Sequence, residues 1–231
     1  AFLTLYLIVF FTAILVKVKV GKIVECPFYL RKGIIVKSSI DKDSQYRTRL
    51  LNAIGEEHPI YHGIDMQAHH IISRKGVELS GLGWKLEALT YHINNIENLV
   101  FIPCTLAGAC HLGVQLHRGD HTYHDDEHPR CYHVEVSDRI KRLEETMDKR
   151  CEKGKPIQSL IDKESVKILK AIDNFEIPLT SIFRTFKPET VNTIGCGNAK
   201  TIKTHSKEKC KASRIHFDKV PKQNYTLRVG Q

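Results

Sequence analysis

The sequence predicts an α+β fold, and three observations support this prediction. With 231 residues and 42% hydrophobic content, the chain is long enough to bury a core. Valine-rich and isoleucine-rich stretches such as residues 17–37 favour short strands, whereas helical periodicity marks residues 43–53 and the stretches from Pro129 to residue 155 and from 157 to 175. Eleven of the thirteen histidines lie between residues 56 and 135, so we expect imidazole chemistry in that region.

Composition divides the chain into four predicted parts. Residues 1–20 begin with an uncharged apolar run of sixteen residues, which predicts a signal peptide or a membrane-associated segment. The chain starts with alanine rather than methionine, which is consistent with truncation of that segment. Residues 21–42 are predicted to be a linker or short strands, residues 43–150 a histidine-rich domain, and residues 151–231 a basic extension that is helical at first and partly disordered later.

The charge points to a polyanionic partner. A formal net charge of +9 and a pI near 9.2 suit nucleic acid or an acidic membrane surface, and a basic surface kept for solubility is the plain alternative. The apolar N-terminal run and the lysines after residue 187 also fit a membrane-associated protein that binds anionic lipid.

The cysteines argue against a dense disulfide framework or a zinc ribbon. There are seven, an odd number, and no two are spaced as CxxC. Cys104 and Cys110 flank a short loop and could pair under oxidising conditions, but buried thiols are the favoured state.

The stretch "QAHHIISRKG", residues 67–76, contains two adjacent histidines. Successive side chains on a strand point to opposite faces, so His69 and His70 should have different roles. Neutral imidazole can bind a metal ion or accept a proton near pH 7, and the residues alone do not say which ring does which. The alternative to a functional site is that the two histidines only pack in the core or lie on the surface.

Two later stretches add polar groups with informative spacing. In "INNIENLVFIP", residues 93–103, Asn98 stands at the mouth of an apolar strand, where asparagine is most often a turn residue. In "LHRGDH", His117 and His121 are four residues apart, which on a helix or helical turn places both rings on one face. Gly119 between them argues against a regular helix.

In this order of motifs the chain resembles the AHH nucleases of the HNH and endonuclease VII superfamily, a family found in bacterial polymorphic toxins. The family takes its name from the residues that stand here as Ala68, His69 and His70. The resemblance covers residues 45–145 and includes "LTYHINNIENLVFIP", "HRGDHT" and "YHVEVSDRI".

The chain departs from the family pattern at two places. An apparent insertion, "YHDDEHPRC", makes His128 an alternative to His121 as the partner of His117. Leu99 replaces the glycine that usually follows the asparagine.

The resemblance implies a ββα-metal finger, HNH-like or treble-clef-like, with surrounding helices. It makes His69 a metal ligand and His70 the general base, with Asn98 orienting His70. His117 and His121 become the remaining ligands of one divalent ion, Mg²⁺ or Zn²⁺, with Mn²⁺ or Ni²⁺ as alternatives. Such an ion would stabilise the charge that develops on a phosphodiester during hydrolysis.

The implied function is a metal-dependent endonuclease, a hydrolase that cleaves phosphodiester bonds with low sequence specificity and acts on DNA rather than RNA. Arg74, Lys75 and Arg118 are candidate phosphate contacts. The family further implies a secreted or delivered bacterial toxin with a cognate immunity protein, and residues 1–16 would allow membrane association. The alternative is a non-catalytic nucleic-acid-binding module with a structural zinc site, for which Cys104 and Cys110 are possible ligands.

Overall fold

A computed structural model describes residues 39–117, 119–124, 126, 128–179, 217 and 225–231. The predicted N-terminal segment, most of the predicted linker, Arg118 and most of the chain beyond residue 179 lie outside the described residues. None of the helices within these ranges has the length and apolar character needed to cross a membrane.

The described residues form a small β-sheet surrounded by helices, which confirms the predicted α+β class. Two 3₁₀ turns, Pro59–His62 and Ile96–Asn98, precede the two strands. The strands are β1 (Met66–His70) and β2 (Leu99–Pro103). The helices are α1 (Tyr46–Ala53), α2 (Arg74–Ser80), α3 (Gly83–Ala88), α4 (Leu106–Leu112), α5 (Tyr132–Arg142), α6 (Glu144–Glu152) and α7 (Gln158–Asp173).

The two strands pair antiparallel and carry the histidine pair at one end of the hairpin. His69 lies opposite Val100 and His70 opposite Leu99. Strand β2 is apolar and buried along its whole length, as expected for a strand covered on both faces. The backbone of Gly230 and Gln231 bonds to Leu99 and Phe101, so the C-terminal residues also cover β2.

Helix α2 begins only a few residues after β1 and packs closely on α5. The Ser73 hydroxyl accepts a hydrogen bond from the Gly76 amide, which caps the N-terminus of α2. A Cβ at Gly76 would lie 2.5 Å from Val136 Cγ1, so the absence of a side chain lets the helices approach. This contact fixes α5, and with it Tyr132, against the strand that carries the histidines.

The core continues beyond residue 150. Helix α6 spans that position, and Ile161, Ile168 and Ile172 of α7 belong to the same buried cluster as β2. The helices predicted after Pro129 and over residues 157–175 are confirmed as α5, α6 and α7. The domain division at residue 150 stays a prediction, although residues on both sides of it share one core.

Replacing Gly76 with alanine tests the packing of α2 on α5. The added methyl group collides with Val136, so Gly76→Ala should lower the free energy of unfolding by about 1–3 kcal/mol despite the better helix propensity of alanine. Urea denaturation measures this change. A Val136→Ala background removes the 2.5 Å contact with Cγ1 but keeps Cβ, at 2.8 Å, so the same substitution should cost less there. An equal cost in both backgrounds would contradict the proposed contact.

Candidate metal and active site

The adjacent histidines of β1 point to opposite faces, as the alternation of a strand predicts. Both are buried, with exposed fractions of 4% for His69 and 2% for His70. The Nε2 atom of His69 lies 2.8 Å from the Tyr132 hydroxyl oxygen. The Nε2 atom of His70 lies 2.9 Å from Asn94 Oδ1, and its ring centroid lies 4.6 Å from that of Tyr46.

The late histidines lie in a loop between α4 and α5, not on a helix. The His117 amide donates a 2.8 Å hydrogen bond to the Pro103 carbonyl, which fixes His117 at the end of β2. Gly119 and His121 have φ angles of 81° and 58°, so the chain turns through the left-handed region between the two rings. No helix forms among the described residues of this stretch, as Gly119 indicated, and a turn brings the rings together.

Among the described residues, His69, His117 and His121 form one cluster that could hold a metal ion. One ring nitrogen from each lies within 4.8 Å of the others, and His69 Nδ1 lies 2.9 Å from His117 Nε2. His128 does not belong to this cluster. Of the two alternatives that the sequence leaves open, the structure therefore places His121 beside His117.

The hydrogen bonds of Tyr132 assign the tautomer of His69. The Tyr132 hydroxyl lies 3.2 Å from the His70 carbonyl and also bonds to the Ile71 carbonyl. Since a carbonyl can only accept, the single hydroxyl proton goes to the backbone, and the oxygen accepts from His69 Nε2–H. The His69 Nδ1 atom therefore keeps a lone pair that faces the cluster.

The other two histidines are arranged in the same way. His117 Nδ1 donates to Gln67 Oε1 at 3.0 Å, and His121 Nδ1 donates to the Leu179 carbonyl at 2.9 Å. The remaining nitrogens, both Nε2, then carry lone pairs. All three imidazoles thus direct lone pairs inward. Two of the nitrogens that carry them, His69 Nδ1 and His117 Nε2, lie 2.9 Å apart.

This arrangement fits a bound cation. Burial lowers the pKa of His117 to about 3 and the pKa of His121 below its usual value. Burial, with repulsion from His117 as the next cause, lowers the pKa of His69 well below its usual value. Facing lone pairs on neutral rings repel, whereas two imidazole nitrogens that bind one tetrahedral ion lie about 3.4 Å apart, because each metal–nitrogen bond is about 2.1 Å. Outer hydrogen bonds of this kind are typical of metal-binding histidines.

On the other face of β1, one ring nitrogen of His70 is hydrogen-bonded and the other has no partner among the described residues. Asn94 Nδ2 donates to the Asp41 carbonyl at 2.6 Å, which turns Oδ1 towards His70 as an acceptor. His70 must therefore donate from Nε2, and its buried Nδ1 has no partner in the described structure. Burial lowers the pKa of His70 to about 4, so its Nδ1 carries a lone pair at neutral pH.

The predicted contact between Asn98 and His70 is wrong. The fully buried Asn98 carboxamide bonds instead to the backbone of Ile72, at 2.6 and 3.1 Å, to the Ile93 carbonyl, at 2.8 Å, and to the Ser165 hydroxyl, at 3.0 Å. These bonds occupy its donors and acceptor and brace the loop that follows His70. A catalytic role for Asn98 stays a prediction.

Sequence reasoning missed four groups of this site. Asn94 stands in the same "INNIEN" stretch as Asn98, and nothing in the sequence distinguishes their roles. Gln67 and Tyr132 open the stretches "QAHHIISRKG" and "YHVEVSDRI", but nothing in either stretch assigns them a role as partners of histidine rings. The Leu179 group is a backbone carbonyl, so no side chain could indicate it.

A cleft of about 710 Å³ opens over both histidines of β1. The predicted phosphate contacts Arg74 and Lys75 line it, and so do Lys42 and Arg47, which the sequence did not single out. Arg118, the third predicted contact, lies outside the described residues. The cleft therefore joins the histidines to a basic wall suited to a phosphate backbone.

The basic residues of this wall are not equally available. Arg74 pairs with Asp41 and with Glu78, both at 2.9 Å, and Lys75 lies 3.6 Å from Glu78. The exposed Lys42 has no ion pair among the described residues. Its charge contributes to the lowered pKa values of His69, His70 and the late histidines. Lys42 is therefore better placed than Arg74 or Lys75 to meet an anionic ligand.

A hairpin that carries adjacent histidines, beside a second histidine pair and under a basic cleft, is consistent with an HNH-like fold. Residues 52–172 match the model of a family described as AHH, "a nuclease family of the HNH/ENDO VII superfamily with conserved AHH". The match spans just over half of the chain, and the chain belongs to this nuclease family. No curated protein and no solved structure matches the chain.

Replacing Asn98 with alanine tests its role as a structural brace. The substitution leaves the backbone groups of Ile72 and Ile93 unpaired in the core, so the free energy of unfolding should fall by about 3 kcal/mol. Chemical denaturation measures the loss. Asn95→Ala is the matched control, because the Asn95 side chain does not cap its 3₁₀ turn, and it should cost less than about 0.5 kcal/mol. Equal stability of the two variants would contradict the bracing role.

Proposed function

We propose that this nuclease is a metal-dependent endonuclease that hydrolyses phosphodiester bonds in DNA with low sequence specificity. One observation supports the metal dependence above all others. Three inward-facing imidazole lone pairs converge in the cleft that His70 also lines, and His70 Nδ1 has no partner in the described residues. A structural site would tend to enclose its ion with four protein ligands, whereas three leave room for water or a phosphate.

The ion would be held by His69 Nδ1, His117 Nε2 and His121 Nε2. When bound, a divalent ion supplies positive charge that stabilises the negative charge developing on the phosphate oxygens. Three imidazoles suit Zn²⁺ and Ni²⁺ better than Mg²⁺, which prefers carboxylate and water oxygens. The donor set therefore favours Zn²⁺ or Ni²⁺ over Mg²⁺ among the ions that the resemblance allows.

His70 is the proposed general base. Its Nδ1 atom accepts a proton from the attacking water, while Nε2–H stays bonded to Asn94 Oδ1. The carboxamide oxygen remains a suitable partner after protonation, because both nitrogens of the imidazolium are donors. Asn94 thus holds the ring in the tautomer that the reaction needs, and general-base catalysis of this kind contributes typically 10²–10⁴-fold to a rate.

The substrate would lie in the cleft along Lys42, Lys75 and Arg74. Contacts of this kind go to phosphates and carry no direct sequence information, which supports low sequence specificity. The preference for DNA over RNA rests on the family resemblance.

The biological setting is also part of the proposal. A bacterial toxin that is secreted or delivered into another cell, with a cognate immunity protein, follows from the resemblance to toxin nucleases. Residues 1–16 would then be a signal or membrane-associated segment of that effector.

Cleavage of supercoiled plasmid by the purified full chain, with Zn²⁺, Mn²⁺, Ni²⁺, Mg²⁺ or EDTA, tests the proposal. His70→Ala should keep the metal ion but lose at least about a hundredfold in rate, because only the base is removed. His69→Ala should lose metal binding and cleavage together. The exposed His62 provides the control, and His62→Ala should behave as wild type.

Two outcomes would contradict the proposal. Wild-type protein that binds metal but cleaves neither DNA nor RNA would favour the structural-zinc binding module. Undiminished cleavage by His70→Ala would exclude His70 as the base.

Lys42 and Arg74 should differ in their effect on DNA binding. In the His70→Ala background, Lys42→Ala should weaken affinity and reduce the slope of log affinity against log salt by about one, because one phosphate contact is lost. Arg74→Ala should have a smaller effect, since Asp41 and Glu78 already neutralise Arg74. Fluorescence anisotropy with a labelled duplex at several salt concentrations measures both. Identical salt slopes for Lys42→Ala and the parent protein would rule out the Lys42 contact.

A further inference from the structure

Gln115 lies two residues before His117 and is almost fully buried, with 2% of its surface exposed. Its Nε2 group donates to the carbonyls of Ile172 and Ile177, at 2.8 and 2.7 Å. Its Oε1 atom accepts from the Leu179 amide at 3.0 Å. Both ends of the carboxamide therefore bind the backbone that leaves α7, and the side chain holds the turn after that helix in one conformation.

The turn held by Gln115 ends at the group that orients His121. The Leu179 peptide nitrogen donates to Gln115, and the Leu179 carbonyl accepts from His121 Nδ1 at 2.9 Å. Ile177 and Leu179 lie beyond residue 172, where the match to the nuclease family ends. A segment outside the matched region thus contacts a residue of the histidine cluster.

We infer that Gln115 is a positioning residue that fixes the tautomer of His121 through Leu179, so that residues 173–179 complete the metal centre. This inference rests on the proposed function, because it takes His121 Nε2 to be a ligand of the metal ion. It also gives the start of the C-terminal extension a role in the site. The cluster would then depend on a segment more than fifty residues away from His121 in the sequence.

The physical basis is the choice between two neutral tautomers. His121 stands in a loop at a φ of 58°, and no helix restricts its ring. Only an acceptor held beside Nδ1 ensures that the proton stays on that atom and leaves Nε2 free for an ion. If the Leu179 carbonyl moves, the other tautomer places a proton at Nε2, where it blocks ligation. Loss of such outer partners typically lowers metal affinity 10–100-fold.

Zn²⁺ titration of the full chain, in competition with a chelator, tests the inference. Gln115→Met keeps the side-chain volume but removes all three hydrogen bonds, and it should weaken Zn²⁺ binding about tenfold. Ser80→Ala is the control, because Ser80 is buried and its hydroxyl bonds only within its own helix end, at Val77 and Leu82. It should leave the affinity unchanged.

A double-mutant cycle separates positioning from general destabilisation. Once His121 is replaced by alanine, Gln115 has no ring to orient, so Gln115→Met should cause no further loss of Zn²⁺ affinity. An equal tenfold loss in both backgrounds would overturn the inference, because the effect would not act through His121. Wild-type affinity in Gln115→Met would overturn it as well.

The tautomer of His121 can also be read directly in wild-type protein. Long-range ¹H–¹⁵N NMR of the metal-free full chain should show a protonated Nδ1 and an unprotonated Nε2. The opposite tautomer would overturn the inference even if Gln115→Met failed to fold. If wild-type protein bound no metal ion, the proposed metal centre would fail, whereas the NMR result would still decide whether Leu179 sets the tautomer.

Discussion

The close approach of two imidazole lone pairs is the constraint on which the rest of the site depends. His69 Nδ1 and His117 Nε2 lie 2.9 Å apart, and each ring has already committed its only proton to an outer acceptor. Two unprotonated ring nitrogens repel, so these atoms would tend to separate if no cation lay between them. The fold instead holds them together through Tyr132 and Gln67, and a shared cation is the simplest way to make the arrangement favourable.

The β-strand explains why the histidines are adjacent. Alternation of side chains sends His69 to the cluster and His70 to the other face, where Asn94 fixes its ring. One short strand thus places the proposed metal ligand and the proposed general base at consecutive positions. Asn98 braces the loop that follows them, and Ser165 of α7 supports Asn98 in turn. The braced hairpin therefore positions both histidines of the candidate site.

The sequence predicted the parts of the site that depend on local pattern. Alternation along β1 gave the opposite directions of the two histidines, and the order of motifs gave the nuclease family. It could not predict partners that arrive from remote segments, such as Tyr132 on α5 or the Leu179 carbonyl after α7. Asn94, rather than Asn98, makes the contact with His70. The two asparagines lie in the same short stretch, and the sequence does not show which of them the turn directs towards His70.

Anomalous diffraction from crystals grown with Zn²⁺ tests the central claim most directly. The account predicts one strong peak bonded to His69 Nδ1, His117 Nε2 and His121 Nε2, with the outer ring nitrogens still bonded to Tyr132, Gln67 and the Leu179 carbonyl. An ion bound through the opposite ring nitrogens, or bound elsewhere while these three rings keep their contacts, would contradict it.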